Sequence, residues 1–449
     1  MLSYQFIKRM LFLTTQKNKM KRKLNKIIAA SIFASFLYTI NSQAQEKNSI
    51  SISSKEIIKV DANQYYKEPF RPQFHFSPEK KWMNDPNGIL FYKGIYHLFY
   101  QYYPEDIVWG PMHWGHATSK DLIHWQHQKI ALFPDELGYI FSGSAVMDTN
   151  NTSGLGTKEN PPMIAVFTYH NMEFEKAGKI NTQTQGLAYS LDEGETWTKY
   201  QANPIINNIT LKDFRDPKVF WNNDTKLWTL VLVAGDRAQF YTSKNLINWN
   251  LESEFGQNKG AHGGVWECPD LFKIKVNGSQ DEKWVLLVSI NPGAPNGGSA
   301  TQYFVGDFDG KTFTTSQKET KWVDYGTDNY AGVTYNNAPN GERIFIGWMS
   351  NWNYATRTPT INWRSAMTLP RTLSLSTIKG EYVLQSAPVA QFDKQISTDF
   401  SIDKIKIIKG TDKIINYSNL NQSKIQFKAE NRYLKLVFSN DANDLLVLQ

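Results

Sequence analysis

The sequence predicts an all-β protein: a five-bladed β-propeller followed by a β-sandwich and preceded by an export signal. Three observations carry this reading. From about residue 71 to 372, short apolar or aromatic runs alternate with clusters of Gly, Asn, Asp and Pro, and no long stretch keeps helical period. A turn motif recurs through the same region. After about residue 375 the composition shifts towards Lys, Ile, Ser and Thr while alternation persists.

The elements follow in chain order. Residues 1–44 read as a signal peptide with a possible N-terminal extension. Lys21-Arg22-Lys23 and Lys26 form a positive n-region, Ile27 to Ile40 an apolar h-region, and Ser42-Gln43-Ala44 the small residues of a cleavage site. Met20 is an alternative start. The h-region is shorter than the ~20 residues of a membrane span, and the leader holds no cysteine for a lipid anchor. Residues 45–70 are a polar linker. Residues 71–372 form the propeller, with strands such as Ile95-Tyr96-His97-Leu98-Phe99-Tyr100, Met163-Ile164-Ala165-Val166-Phe167 and Ile344-Phe345-Ile346-Gly347-Trp348. The repeat is Ser119-Lys120-Asp121-Leu122-Ile123-His124-Trp125, echoed at Ser190 to Trp197 and Ser243 to Trp249, with a degenerate copy at Asp307 to Phe313. Uneven spacing over some 300 residues suits about five four-stranded blades with variable loops. The alternation alone is shared with a β-sandwich. Residues 373–449 read as the start of a C-terminal sandwich that looks incomplete, because the chain stops inside the apolar run Leu445-Leu446-Val447-Leu448.

Charge and cysteine narrow the function classes. The formal charge of +7 becomes −1 without residues 1–44, which carry eight basic and no acidic side chains. Nucleic-acid and anionic-membrane binding therefore lose their main support. The single cysteine, Cys268, rules out an internal disulfide and is expected to act as a small hydrophobe. His113 and His116, like His124 and His127, are three apart, but they fall in strand and turn rather than on a helix, so no metal is expected.

Three acidic motifs carry the chemistry: Trp82-Met83-Asn84-Asp85-Pro86-Asn87-Gly88, Phe214-Arg215-Asp216-Pro217 and Trp266-Glu267-Cys268-Pro269-Asp270. Each sets a carboxylate near a proline, whose fixed φ stiffens the backbone. In a propeller, carboxylates from different blades converge at the channel mouth. Glycosidic cleavage needs two carboxyl groups, about 5 Å apart for retention and roughly 6.5–9.5 Å for inversion, and sequence does not measure that gap. Asp85 lies in a donor-rich turn that favours the ionised form a nucleophile needs. Glu267, between Trp266 and Cys268-Pro269, is expected in an apolar surround that raises its pKa, as a proton donor requires. Asp216 is expected to be held charged by Arg215 and to grip substrate hydroxyls.

These motifs resemble those of glycoside hydrolase family 32, the β-fructosidases, and the likeness runs from about Pro72 to Arg371. The resemblance implies a five-bladed propeller with a β-sandwich, retention of configuration and no cofactor. It implies Asp85 as nucleophile, Asp216 as transition-state stabiliser and Glu267 as acid/base. It further implies substrate contacts from Asn84, Gln101, Trp109, Phe141, Ser142, Arg215, Asp324 and Trp348. Gly260 to Glu267 and Ser289 to Pro295 look most like exo-acting levanases and exo-inulinases. The expected partner is a fructan or sucrose, with no nucleic acid and no membrane after signal cleavage, in a secreted or periplasmic enzyme. The rival readings are a fructosyltransferase on the same fold, an inverting propeller hydrolase of arabinan, and a non-enzymatic propeller lectin.

Overall fold

The structure, a computed structural model, describes residues 65–397 without a break and separate short stretches between 400 and 448. The expected signal peptide and most of the linker lie outside the described residues. The described chain is all-β apart from one short α-helix, α1 (Met172–Lys176), capped by Asn171, and brief 3-10 turns.

Five sheets follow one another along the chain. Blade 1 comprises β1 (Lys81–Tyr92), β2 (Ile95–Tyr103), β3 (His113–Ser119) and β4 (Trp125–His127). Blade 2 comprises β5 (Tyr139–Met147), β6 (Met163–His170), β7 (Gln183–Ser190) and β8 (Thr198–Lys199). Blade 3 comprises β9 (Phe214–Asn222), β10 (Leu227–Ala234), β11 (Ala238–Ser243) and β12 (Asn250–Phe255). Blade 4 holds β13 (Val265–Lys275), β14 (Glu282–Asn291), β15 (Ala300–Phe308) and β16 (Phe313–Thr314), with β17 (Lys321–Trp322) against β15. Blade 5 holds β18 (Tyr330–Thr334), β19 (Ile344–Trp348), β21 (Arg371–Ile378) and β22 (Glu381–Pro388). The intervening β20 (Trp363–Arg364) crosses to pair in parallel with β1, joining the last blade to the first. Blade 5 thus runs to Pro388, past the boundary expected at 372. Beyond Gln395, the only strands among the described residues are β23 (Leu436–Ser439) and β24 (Leu445–Leu448), a hairpin. The alternation expected to continue after residue 375 forms no strand over 423–429, and a sandwich is not seen among the described residues.

Both faces of each blade are apolar, which is why β6 and β11 are buried along their whole length. The faces meet in five inter-blade cores. Ile140 and Phe167 pack on Phe99 and Trp114 between blades 1 and 2. Val219 and Trp228 pack on Val146 and Ile164 between blades 2 and 3. Trp266 and Leu286 pack on Val231 and Phe240 between blades 3 and 4. Phe345 and Leu373 pack on Phe272 and Val285 between blades 4 and 5. Val333 and Ile344 pack on Tyr96 and Leu98 to close the ring.

The recurring turn lies between the third and fourth strands of blades 1 to 4. In the first three copies the Ser hydroxyl and the following Asp or Asn cap the turn, as where Leu122 N donates to Ser119 Oγ at 2.9 Å. The Trp indole then donates back to the turn, from Trp125 to Leu122 O at 3.2 Å, Trp197 to Gly194 O at 3.1 Å and Trp249 to Leu246 O at 2.9 Å.

Candidate active site

Each blade's first strand carries a β-bulge at the same level, with two residues set against one on the neighbouring strand. The bulges fall between Met83 and Pro86, Ile140 and Gly143, Arg215 and Lys218, Glu267 and Asp270, and Tyr330 and Val333. A bulge bends the strand and re-aims its side chains. Here the bends point Asp85, Ser142, Asp216, Cys268 and the Glu267 beside it towards one another. Asp216 and Cys268 adopt left-handed backbone, at φ +63° and +45°, a strain typical of functional positions.

Asp85 is surrounded by donors. Its Oδ1 accepts from Asn84 Nδ2 at 3.1 Å, and its Oδ2 from Ser142 Oγ at 2.8 Å and Cys268 Sγ at 3.6 Å. Asn84 is itself fixed by Trp82 Nε1 at 2.8 Å. With its side-chain amide turned over, Asn87 donates to Ser142 Oγ at 3.1 Å and accepts from Gln101 Nε2 at 2.9 Å. Burial pushes the Asp85 carboxyl up, while Ser142, Asn84 and Cys268 pull it back. The sequence expectation named only the donors and not this opposing burial.

Asp216 is 6% exposed. Its backbone N–H donates to Thr168 Oγ1 at 2.9 Å, and its Oδ2 accepts from Cys268 N at 2.9 Å and Cys268 Sγ at 3.6 Å. One sulfur therefore stands 3.6 Å from both Asp85 and Asp216. Burial raises Asp216 to about 7, against the pull of Arg215 and with help from the charges of Glu267 and Asp85. The expectation that Arg215 simply holds Asp216 charged is thus corrected. The guanidinium lies 3.8 Å from Asp216 but 3.1 Å from Glu267 Oε1 and 2.9 Å from Asp213.

Glu267 also departs from its expected setting. Trp266 faces the opposite side of the strand, inside the core between blades 3 and 4, as alternation on β13 dictates. Glu267 is flanked instead by Arg215 at Oε1 and by the Tyr330 hydroxyl at Oε2. Burial still raises its carboxyl, opposed by Arg215 and Tyr330 and reinforced by the charges of Asp85 and Asp213.

The remaining expected contacts divide. Both Gln101 and Ser142 are buried; Ser142 donates to Asp85, and Gln101 Nε2 donates to Ile140 O at 3.0 Å. Trp109 is half-buried, edge-on to Phe141 at 6.0 Å, and Phe141 stacks on His170 at 4.3 Å. Trp109 and Phe141 pack against the cluster that holds Trp82, Cys268 and Tyr330. Trp348 is corrected: it is fully buried beneath Tyr330 and Trp82, so its ring presents no face to a ligand. Trp352 has the accessible place, half-buried and stacked over Trp82 at 5.9 Å. Asp324 is tied to Arg371 at 2.9 Å and to Gly326 N at 2.6 Å, outside the carboxylate network. Sequence reasoning missed Tyr330, Trp352 and the positioning amide of Asn87. Tyr330 shares one legible feature with the acidic motifs, a polar turn (Thr327-Asp328-Asn329) leading into a buried strand. Among the described residues no group of three His, Cys, Asp or Glu side chains stands in metal-binding arrangement.

A carboxylate met by three donors, a second held beneath it, and a third between a guanidinium and a phenol form a set able to attack a carbon, bind hydroxyls and move a proton. Comparison with known proteins points the same way. The family model described as "Glycosyl hydrolases family 32 N-terminal domain" matches residues 75–388. A levanase of Bacillus subtilis is 54% identical over 335 residues, covering 73% of this chain and 48% of the levanase. An extracellular exo-inulinase of Aspergillus niger is 46% identical over 351 residues, covering 72% of this chain and 65% of the inulinase. The crystal structure of an exo-inulinase from Aspergillus awamori superposes with a TM-score of 0.68 at 43% identity, covering 73% of this chain and 69% of that one. The chain thus spans about half the length of the levanase and under two thirds of the A. niger inulinase.

Proposed function

The chain belongs to glycosyl hydrolase family 32, and from that premise we propose that it is an exported, retaining β-fructosidase. It releases fructose from the ends of β-fructans such as levan and inulin, and from sucrose. One observation carries the reading: Asp85 and Asp216, from different blades, share Cys268 Sγ at 3.6 Å, while Arg215 joins Glu267 to the same cluster.

Asp85 attacks the anomeric C2 of a fructosyl unit, forming a C2–O bond to the enzyme as the bond to the leaving oxygen breaks. Glu267 gives its proton to that oxygen. Glu267 then takes a proton from water, which attacks C2 and frees Asp85. Asp216 holds ring hydroxyls and moves no proton. Asn84, Gln101 and Ser142 orient Asp85 and the sugar, with the Trp109 and Phe141 rings as a wall.

Incubation with levan, inulin and sucrose, followed by product separation and an NMR time course of the first-formed anomer, tests this. The expected result is free fructose with retained configuration. Longer chains at high sucrose would indicate a fructosyltransferase. Inverted product, or activity on arabinan only, would indicate the inverting hydrolase. Binding without release of reducing sugar would indicate a lectin.

A further inference from the structure

Tyr330 stands outside every acidic motif, on the first strand of the fifth blade. It is buried, and its hydroxyl meets Glu267 Oε2. The other oxygen, Oε1, faces Arg215 Nη2 at 3.1 Å. The two neighbours are not equivalent. A guanidinium donates only and cannot take a hydrogen bond from a protonated carboxyl. A phenol both donates and accepts. When Glu267 carries a proton, Oε1 opposite Arg215 is the wrong oxygen for it, because two N–H and O–H hydrogens would face each other. Oε2 opposite Tyr330 is the right one, because the phenol can turn from donor to acceptor.

We propose that the acid proton of Glu267 resides on Oε2, shared with Tyr330, and that the phenol is the positioning group which holds this proton on the oxygen from which Glu267 passes it to the leaving group. In the ionised state the Tyr330 O–H donates to Oε2. In the protonated state the Glu267 O–H turns between the phenol oxygen and the departing glycosidic oxygen. In the step itself the Oε2–H bond breaks, a bond from that hydrogen to the leaving oxygen forms, and the electron pair of the C2–O bond stays on the departing group. Arg215 holds Oε1 throughout, so the carboxyl does not rotate and present the wrong oxygen. The fifth blade therefore contributes to the proton transfer itself. The inference rests on the assignment of Glu267 as acid/base under the proposed function.

The charged and titratable groups facing Glu267 are Arg215 and Asp213 from blade 3, with Asp216 beneath them, Asp85 from blade 1, Cys268 on its own strand and Tyr330 from blade 5. Of these, Tyr330 alone can be changed by a single oxygen atom without altering a charge. The test is Tyr330→Phe, assayed on a fructan and on β-fructosyl fluoride, whose leaving group departs without protonation. The expected result is a loss in kcat on the fructan of roughly tenfold or more, as for an impaired general acid, with the fluoride rate held within about twofold. Removing the phenol donor also favours protonated Glu267, so the alkaline limb of the fructan kcat/KM profile moves to higher pH. Equal losses on both substrates, or an unmoved alkaline limb, would overturn the proposal and leave Tyr330 a packing residue. Should the Phe variant fail to fold, a ring-fluorinated tyrosine at 330 keeps the shape and donates more strongly. The limb then moves to lower pH, and no movement counts against the proposal. A wild type inactive on both substrates would instead sink the proposed function.

Discussion

Under the proposed mechanism Asp85 and Glu267 hold opposite protonation states at the start of the reaction, and their immediate neighbours divide them. Three donors converge on Asp85, whereas Glu267 lies between one permanent donor and one group of either polarity. Asp85→Asn removes the nucleophile and Glu267→Gln the proton, so each variant should lose kcat by about 10³-fold or more while its circular dichroism stays native. Wild-type turnover in either would refute the roles. Asp216 makes a separate prediction through stability. Its folded value of about 7 lies above the ordinary 3.8. Between those values the folded protein keeps a proton that the unfolded chain has released, so stability falls as pH rises through the interval. Asp216→Asn removes that loss. Its melting temperature relative to wild type should rise from below pH 3.8 to above pH 7, with the gain amounting to a few kcal/mol at most, since one unit is worth about 1.4 kcal/mol. The titration belongs to the carboxylate cluster as a whole, because Glu267 and Asp85 both lift Asp216. A relative stability flat with pH would count against it. Cys268 completes the picture: burial and the charges of Asp216 and Asp85 keep its thiol well above its ordinary range. Iodoacetamide should therefore leave native protein unlabelled under conditions that label it fully in urea. The carboxylates themselves were legible in the sequence, since each sits by a proline. Their partners were not, because Arg215 lies beside Asp216 in the chain yet makes its closer contacts to Glu267 and Asp213.

The inner strands show why some of the site could be read and some could not. All five are bulged at one level, but only three bulges contain proline, at Pro86, Pro217 and Pro269. Those three gave the visible motifs. The bulges holding Ser142 and Ala331 use Gly143 and Gly332 instead. A Cβ on Gly143 would lie 2.2 Å from Val166 O, and one on Gly332 would lie 2.0 Å from the Phe345 ring. Close approach of this kind leaves no signature in a single sequence. The turn repeat behaves in the same way. Four copies were legible because a capped turn serves blades 1 to 4, with an indole lid in the first three and Phe313 in its place in the fourth, where Asp309 caps the turn. Blade 5 lacks it, since Ile378 pairs directly with Glu381 across Lys379-Gly380, at φ +52° and +82°, a two-residue turn whose twist suits a hairpin. Leu122 and Leu246, fully buried with left-handed backbone, anchor two of the repeat turns. Leu122→Ala or Leu246→Ala should each lower stability by ~2–4 kcal/mol through the cavity left behind. Trp249→Phe, which deletes the indole donor to Leu246 O, should lower it by about 1 kcal/mol. Urea midpoints would check the order, and a Trp249 effect larger than the Leu246 effect would show that the lid, not the leucine, holds the turn.

A site assembled from five blades depends on how firmly the blades are locked. The inter-blade cores set the ring, but the spacing between carboxylates is fixed lower in the channel by polar ties. Asn336, from blade 5, donates to Ala145 O at 2.8 Å and Val219 O at 3.0 Å, and its backbone pairs with blade 1. Ser144 Oγ, from blade 2, donates to Pro217 O at 2.9 Å directly beneath Asp216. Lys218 and Asp270, two and three residues beyond Asp216 and Glu267, form a buried pair at 3.4 Å. Both also grip Thr334 of blade 5, Lys218 through its carbonyl and Asp270 through its N–H. Lys218 is 3% and Asp270 0% exposed, so neither charge has water to fall back on. Removing one partner should cost about 3–5 kcal/mol, because the other is left as an uncompensated buried charge, whereas replacing both by apolar groups of similar size is often far milder. Urea denaturation of Lys218→Met, Asp270→Leu and the double variant forms the cycle. The double variant should lie closer to wild type than the sum of the two losses, held short of full recovery by the unpaired Thr334 backbone. Strict additivity would mean the two charges act separately, and the three-blade clasp would then contribute nothing to the placement of Asp216 and Glu267.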